Sequence, residues 1–402
     1  MLAPRSLRKA SVPPSLLSDP SPGSLQPTRL AIQVRVHSTL PLSKTLNPRA
    51  LRLRLVRFPI SQVNAAGSSC SAYLASGCRV YKIEIAMEGE MLSKGKESLL
   101  IPINAEVITS SVVDRCPHRS EIQSVVLAEG EGDGCLILGT VDSYGHLIVS
   151  RLDTVADDID RASYSVPPRD CGVGEGSWAG LCFSPMHQST VAVARELCKC
   201  IDIYDQDIHV RSLRTLWYPS SFSFGHCMPQ VNESGSMLAI AEGSQLSIWD
   251  LRVSNNGGCV HRISGPIGGI IYSVCSSPSG PIAVGGTDRT VTIYDPRRWS
   301  ALSRWVGCSK YEITGLSFSS VDESFIYVQG VDYEITCGLW KGNERAFSFR
   351  GDSNWLGFSK CANTDVVAGW CESGSVFVAD VRQDCLSVIG QFESWHQTEN
   401  QK

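Results

Sequence analysis

The chain has 402 residues, of which 43% are hydrophobic and 19% are charged, and its formal net charge is -4. These values are ordinary for a globular protein with a core, and the slightly negative charge excludes an overall basic field for nucleic acid. The sequence also lacks an apolar run near the roughly 18 residues that cross a bilayer. We therefore expect neither a membrane nor a nucleic acid as partner.

The N-terminal part of the chain is basic. From Met1 to Ile83 there are nine Arg and three Lys, and Asp19 is the only acidic residue. The first 50 residues are also rich in Ser and Pro, which predicts that residues 1–50 form an extension outside the folded domain. Two interpretations are open: a disordered tail, or an organellar transit peptide, which is typically rich in Arg and Ser and poor in acids.

The 16 cysteines are scattered along the chain, without the even spacing of a small secreted scaffold. Many lie within predicted strands, where a thiol behaves as a small buried hydrophobe. We expect reduced thiols and a cytoplasmic or nuclear location. An organellar location is the alternative if residues 1–50 are a transit peptide.

Four stretches of the chain end alike at equal intervals. Tyr204, Trp249, Tyr294 and Leu339 each close a run of mostly β-branched or apolar residues, and they are 45 residues apart. A period of about 40–45 residues that closes on an aromatic residue and Asp is typical of propeller blades. The best-formed unit, Ile271–Trp305, has four short strand signals separated by Gly, Pro and Asp, which indicates an antiparallel sheet.

The same order of strands recurs in seven units. The sequence therefore predicts an all-β fold, a single seven-bladed β-propeller of four-stranded antiparallel blades over residues 51–392, with a disordered tail at 393–402. Leu51–Phe58 alternates apolar and basic residues, as a half-exposed strand does. It is either the first strand of the first blade or a strand that pairs with the last blade and locks the ring, and the alternative is an amphipathic part of the leader.

The chain resembles the WD-repeat β-propeller family over the seven units. The residues that carry the resemblance are Ile248-Trp249-Asp250, Ile293-Tyr294-Asp295, Phe183-Ser184-Pro185 and Asp288. The resemblance implies a buried hydrogen-bonded network in each blade, made by a Gly-His pair, a strand Ser or Thr, a turn Asp and the Trp. Asp288 and Thr290 fit this network, whereas Gly265-Pro266 stands near the position where Gly-His is expected.

The sequence lacks the usual patterns of catalytic and metal-binding sites. The chain has no Gly-x-Ser-x-Gly turn, and Cys198-Lys199-Cys200 is the only close cysteine pair, without a second pair at metal-ligand spacing. The histidines, for instance His146, His187 and His261, are isolated in the sequence and read as turn or surface residues. We expect no catalytic residue, no metal and no cofactor, and hence a protein that is not an enzyme.

Aromatic residues near the starts of several innermost strands are the first candidate binding residues. In the WD-repeat family this register lies toward one face of the ring, where large rings suit protein contacts. The alternative is that these rings fill gaps between blades. The candidates are Trp178, Trp217, Tyr272, Tyr311 and Trp355.

The second candidate site is an Asp-x-Arg pattern at the end of the third strand of consecutive units. It comprises Asp250 with Arg252 and Asp295 with Arg297, and it recurs at Asp380-Val381-Arg382. These boxes look like those of WD-repeat substrate receptors of cullin-RING ubiquitin ligases, in which the Arg contacts the ligase adaptor. Gly243 and Pro296 depart from that pattern.

Two functions follow from these candidates. The first is a non-enzymatic scaffold that presents loop faces to protein partners in a multi-subunit complex. The alternative is a substrate receptor that binds a cullin-RING ligase adaptor through its Asp-x-Arg boxes.

Overall fold

The structure is a computed structural model, and its elements are all strands apart from one short 3-10 turn within the described residues. It describes residues 30–38, 68–86, 92–94, 99–102, 107–113, 116–129, 135–153, 164–168, 177–225, 236–253, 255–265, 268–361, 365–371 and 376–381. Over these ranges no helix is long and apolar enough to cross a membrane.

The strands form seven sheets, which we number one to seven in chain order. Sheet one contains β1 Leu30–Ser38, β2 Ser68–Ser76, β3 Arg79–Ala86 and β6 Val107–Val113. Sheet two contains β7 Ile122–Glu129, β8 Cys135–Asp142, β9 Leu147–Asp153 and β10 Tyr164–Val166. Sheet three contains β11 Ala179–Phe183, β12 Thr190–Arg195, β13 Cys200–Asp205 and β14 Ile208–Arg214.

The remaining sheets follow the same antiparallel order. Sheet four contains β15 Pro219–Gly225, β16 Met237–Glu242, β17 Gln245–Asp250 and β18 Cys259–Ser264, with the 3-10 turn at Asn255–Gly258. Sheet five contains β19 Ile271–Ser276, β20 Ile282–Gly286, β21 Thr290–Asp295 and β22 Ser300–Val306. Sheet six contains β23 Ile313–Phe318, β24 Phe325–Gly330, β25 Glu334–Leu339, β26 Glu344–Arg350, β5 Leu99–Pro102 and β4 Leu92–Lys94. Sheet seven contains β27 Trp355–Lys360, β28 Val366–Cys371 and β29 Val376–Asp380.

The all-β prediction and the repeated four-stranded antiparallel sheets are confirmed, and two sheets depart from four strands. Sheet seven has three strands in the part of the chain that the structure describes, and sheet six has six. The two extra strands of sheet six, β4 and β5, lie between β3 and β6 in the sequence, so they come from the segment that forms sheet one. β5 pairs in parallel with β26, with Leu99 opposite Ser348 and Leu100 opposite Phe349.

The start of the first sheet differs from the sequence prediction. β1 runs from Leu30 to Ser38 and pairs with β2, so a strand lies inside the stretch that was predicted as an extension. Leu51–Phe58, which was predicted as a strand, lies outside the described residues. Composition pointed away from a strand at residues 30–38, because Ser, Pro and Arg are dense on both sides of it.

The hydrophobic core lies between consecutive sheets. Each cluster of buried side chains draws its members from two neighbouring sheets: Leu238 and Ile240 of sheet four pack with Ile201 and Ile203 of sheet three, for example. Corresponding clusters join sheets one and two, two and three, four and five, five and six, and six and seven. The sheets therefore stack face to face in chain order.

This topology gives every complete sheet two distinct ends. The turn from the second to the third strand and the connection to the next sheet lie at one end, which we call the connection end. The turns from first to second and from third to fourth strand lie at the other end, which we call the hairpin end. The two sets of candidate residues fall at opposite ends, because the aromatic residues lie just before or at the start of first strands and the Asp-x-Arg boxes lie at the ends of third strands.

Candidate functional site

The connection from sheet three to sheet four exposes three large apolar side chains in a row. Leu216 is 57% exposed, Trp217 52% and Tyr218 45%, and the Lys199 ammonium lies 4.7 Å from the centre of the Tyr218 ring. Three consecutive large apolar side chains that are about half exposed to solvent form a surface suited to protein contact.

A buried carboxylate holds this connection in place. Glu242 ends β16 and is fully buried, and one of its oxygens accepts the backbone N–H groups of Leu216 at 2.6 Å and of Trp217 at 2.9 Å. Its other oxygen accepts a hydrogen bond from the Arg262 guanidinium at 2.8 Å. The Thr215 hydroxyl donates to the Trp217 carbonyl at 2.8 Å, so both sides of the turn are tied down. The Trp217 side chain is therefore presented by a fixed backbone, which lowers the entropy cost of binding.

Tyr311 and Tyr333 add aromatic surface at the same end of sheet six. Tyr311 is 56% exposed and lies in the connection before β23, and Tyr333 is exposed in the turn between β24 and β25. The Arg350 guanidinium stacks over the Tyr333 ring, 5.0 Å from its centre.

The other predicted aromatic residues differ in their surroundings. Trp178 is half-buried and packs edge-on against Phe222 of sheet four, with ring centres 6.4 Å apart, so it fills the space between two sheets. Tyr272 lies in β19 and is also half-buried, and its pKa is raised by burial and by Glu312. Trp355 begins β27, and its side chain lies outside the described residues.

The first Asp-x-Arg box forms a closed ion pair at the hairpin end of sheet four. The Asp250 carboxylate accepts three hydrogen bonds from Arg252: from the backbone N–H at 2.9 Å, from Nε at 3.0 Å and from Nη2 at 2.9 Å. These bonds lower the pKa of Asp250. The Arg252 side chain is 47% exposed, and its bonds to Asp250 fix its orientation.

The second box is built differently. Asp295 accepts the backbone N–H of Arg297 at 2.9 Å, and within the described ranges no ion pair joins the two side chains. Arg297 is exposed at the hairpin end of sheet five. In the third box, Asp380 ends β29 and Arg382 lies outside the described residues. Of the two boxes that the structure describes in full, the first brings the Asp and Arg side chains together and the second does not.

A polar cluster that the sequence analysis missed lies at the connection end of sheet two. His118 is buried, with Nε2 2.7 Å from Thr140 Oγ1 and Nδ1 3.2 Å from Asp142 Oδ2. The His146 ring lies beside them, 5.4 Å from the His118 ring centre to centre. His146 was predicted to be an isolated turn residue, and the structure instead places it in a cluster with a second histidine and a carboxylate.

Burial and hydrogen bonding shift the pKa values of His118 and Asp142 in this cluster. Burial lowers the pKa of His118, so the ring is neutral near pH 7, and hydrogen bonds from His118 and His146 outweigh burial and lower the pKa of Asp142. The signal that could have revealed the cluster is Asp142-Ser143-Tyr144-Gly145-His146. Asp followed by a tight turn with Gly brings a histidine four residues later back toward the carboxylate.

No family model matches the chain, and no curated protein matches its sequence. The geometry of these surfaces is therefore the basis for assigning a function.

Proposed function

We propose that the seven sheets are the blades of a single WD-repeat β-propeller, and that the protein is a non-enzymatic scaffold that binds protein partners in a multi-subunit complex. Face-to-face packing of consecutive sheets in chain order is the arrangement of propeller blades, which leaves only short, protected sheet edges. The His118, Thr140 and Asp142 contacts support the WD-repeat assignment, because they join the His, Thr and Asp of a repeat network, with Pro117 in place of the usual Gly.

The observation that carries the scaffold function is the rigid presentation of Trp217. An exposed Trp on a backbone fixed by a buried carboxylate is the kind of residue that dominates protein interfaces. Tyr311 and Tyr333 offer further aromatic contacts at the same end of the propeller. Several partners could contact this end together, which is what a scaffold requires.

The experiment is affinity purification of the full-length chain followed by mass spectrometry. The double variant W217A/Y311A is compared with wild type and with the control I208A/V210A, which truncates two exposed side chains on the outer strand β14. We expect W217A/Y311A to recover at least tenfold less of its partners than wild type does, because the loss of one interface hot spot costs about 2 kcal/mol or more of binding free energy. An unchanged set of partners, with I208A/V210A also unchanged, overturns the scaffold proposal for this end.

The second candidate function is a substrate receptor of a cullin-RING ubiquitin ligase. The observation that favours it is the Arg252 guanidinium, which is fixed by Asp250 and half exposed at the hairpin end. Under this function the double variant R252E/R297E loses the ligase adaptor and W217A/Y311A retains it. If R252E/R297E recovers as much adaptor as wild type, or if wild type recovers none, the receptor function is wrong.

A further inference from the structure

Exposed charge is distributed unevenly at the connection end of the sheets. Among the residues that the structure describes there, the exposed cations are Arg79, Arg119, Arg214, Arg289 and Lys310, and the exposed carboxylate is Asp352. The other carboxylates of this end, such as Glu242 and Glu334, are buried or half-buried. The chain as a whole carries a net charge of -4, so the basic character of this surface is local.

Cations border the exposed apolar row at residues 216–218, between sheets three and four. Arg214 ends β14, just before this row, and is exposed. The Lys199 ammonium lies 4.7 Å from the centre of the last ring of the row. Glu242, which holds the row from below, is fully buried and already bonded to Arg262 and to backbone N–H groups. The charged groups that a partner meets beside these apolar side chains are therefore cations.

On sheet six, three cations surround one buried carboxylate. Glu334 accepts hydrogen bonds from the Arg345 guanidinium and, at 3.4 Å, from that of Arg350, and Lys310 Nζ lies 3.8 Å from it. The side chains of the cations are 40–61% exposed, whereas that of Glu334 is 5% exposed, and Asp332 in the same turn is also buried. A carboxylate that arrives from outside therefore meets the donors first and gains charge-assisted hydrogen bonds.

We propose that the connection end binds an acidic segment of a partner protein, with Asp or Glu side chains against Arg214 and Lys310 and a large apolar side chain against Trp217. The inference rests on the proposed scaffold function and names the chemistry of the partner. A protein segment fits better than a nucleic acid, because the net charge of -4 repels a long polyanion. A short acidic segment with an apolar anchor responds mainly to the local cations and to the exposed row, since more distant charges are screened by salt.

The test begins with a phage library of random peptides that is selected on the full-length protein. We expect the selected peptides to be enriched in Asp and Glu beside Trp, Phe or Leu, relative to the unselected library. One selected peptide is then labelled, and its affinity is measured by fluorescence anisotropy. The main variant is R214E/K310E. The matched control is R298E/K341E, which reverses two exposed cations in turns at the hairpin end. Melting temperatures establish that both variants are folded.

We expect R214E/K310E to bind the peptide about tenfold more weakly than wild type or worse, and R298E/K341E to bind it as wild type does. Replacing Asp and Glu of the peptide with Asn and Gln should cause a similar loss. Raising NaCl from about 0.05 M to about 0.5 M should also weaken binding, because salt screens exposed charges. A selection without acidic enrichment, or equal affinity of wild type and R214E/K310E, overturns the inference. Tight binding of a single-stranded DNA oligonucleotide that R214E/K310E abolishes also overturns it, because the surface would then serve nucleic acid.

These outcomes are distinguishable from failure of the scaffold function. If the selected peptides are not acidic but W217A/Y311A still loses its cellular partners, the scaffold function stands and only the partner chemistry is wrong. If R214E/K310E loses the acidic peptide but W217A/Y311A keeps all its cellular partners, the acidic-segment site stands and the scaffold function of this end is wrong.

Discussion

The Lys360 ammonium lies 3.7 Å from the Asp365 carboxylate, and both side chains are almost fully buried, with 5% and 0% exposed. Asp365 of sheet seven also accepts hydrogen bonds from sheet six: from the Ser319 hydroxyl, the Ser320 backbone N–H at 2.7 Å and the Tyr327 hydroxyl at 3.0 Å. One carboxylate therefore joins the last two sheets at the hairpin end.

Replacing Asp365 with Ala should be strongly destabilising. The change leaves the buried Lys360 charge without its carboxylate and removes the acceptor of three hydrogen bonds from sheet six. We expect the free energy of unfolding to fall by about 3–5 kcal/mol, measured by urea denaturation. The control D322A removes a half-buried turn carboxylate that accepts one backbone N–H, from Ser324, and should cost about 1 kcal/mol. Equal losses in the two variants would contradict this account.

Gly338 in β25 is required because another side chain occupies the space beside it. A Cβ at Gly338 would collide with the Trp305 ring of sheet five and with the Glu344 carbonyl. We expect G338A to destabilise the protein by about 1–3 kcal/mol, as overpacking does. Gly342, in the turn after β25, is the matched control, since a Cβ there would meet only the Glu344 side chain at 3.6 Å. Thermal unfolding of the two variants is the measurement, and a melting temperature of G338A equal to that of G342A would rule out the collision.

The Asp250–Arg252 pair should contribute a pH-dependent stability. The pKa of Asp250 is lowered in the folded protein by its bonds to Arg252, so this contribution is complete above the usual aspartate pKa of about 3.9. It is lost as the pH falls through the lowered folded pKa. Because Arg252 is half exposed, we expect R252A to cost about 0.2–1 kcal/mol at pH 7 and less at pH values below the folded pKa of Asp250.

R297A is the control for this prediction. Arg297 bonds to the Asp295 carboxylate through its backbone N–H, which the substitution retains, so the stability of R297A should stay within about 0.5 kcal/mol of wild type at every pH. Urea unfolding of both variants from pH 3 to about pH 7 is the measurement. A loss in R252A that does not change with pH would show that the ion pair is not its cause.

Two thiols, the buried Cys200 and the half-buried Cys275, should resist alkylation in the folded protein. Burial raises the pKa of Cys200 to about 12 and that of Cys275 to about 12, and the thiolate is the reactive form. Cys78 is exposed and serves as the reference. We expect iodoacetamide at neutral pH to label Cys78 well before Cys200 and Cys275, and to label all three in urea. Rapid labelling of Cys200 in the native state, measured by peptide mass spectrometry, would contradict this prediction.

The repeated strands could be predicted because their signals are local. Tyr204, Trp249, Tyr294 and Leu339 all fall in the third strand of their sheets, in β13, β17, β21 and β25. An alternating run between turn residues needs no distant partner to be read as a strand. The same reasoning did not find β1, which pairs with β2 about 30 residues later, or the β4–β5 hairpin, which joins sheet six through the distant strand β26.

The candidate sites show the same division. Sequence reasoning placed Asp250 beside Arg252, since residues two apart in a strand share a face. It placed Trp178 and Tyr311 in one set of candidate contact residues. In the structure Trp178 is half-buried against Phe222, whereas Tyr311 is exposed to solvent. Exposure depends on the neighbouring sheet, which the spacing of aromatic residues does not define.

The strands of the repeated units and the Asp-x-Arg endings can be read from the amino-acid order alone, because each depends on residues within a few positions of one another. Folding was needed to reveal that β5 joins sheet six, that Glu242 fixes the Trp217 backbone, and that His118 lies beside Asp142 and His146. The reason is that a buried polar group must bond to a partner that the fold brings beside it. His118, for example, lies 22 to 28 residues before the other members of its cluster in the chain.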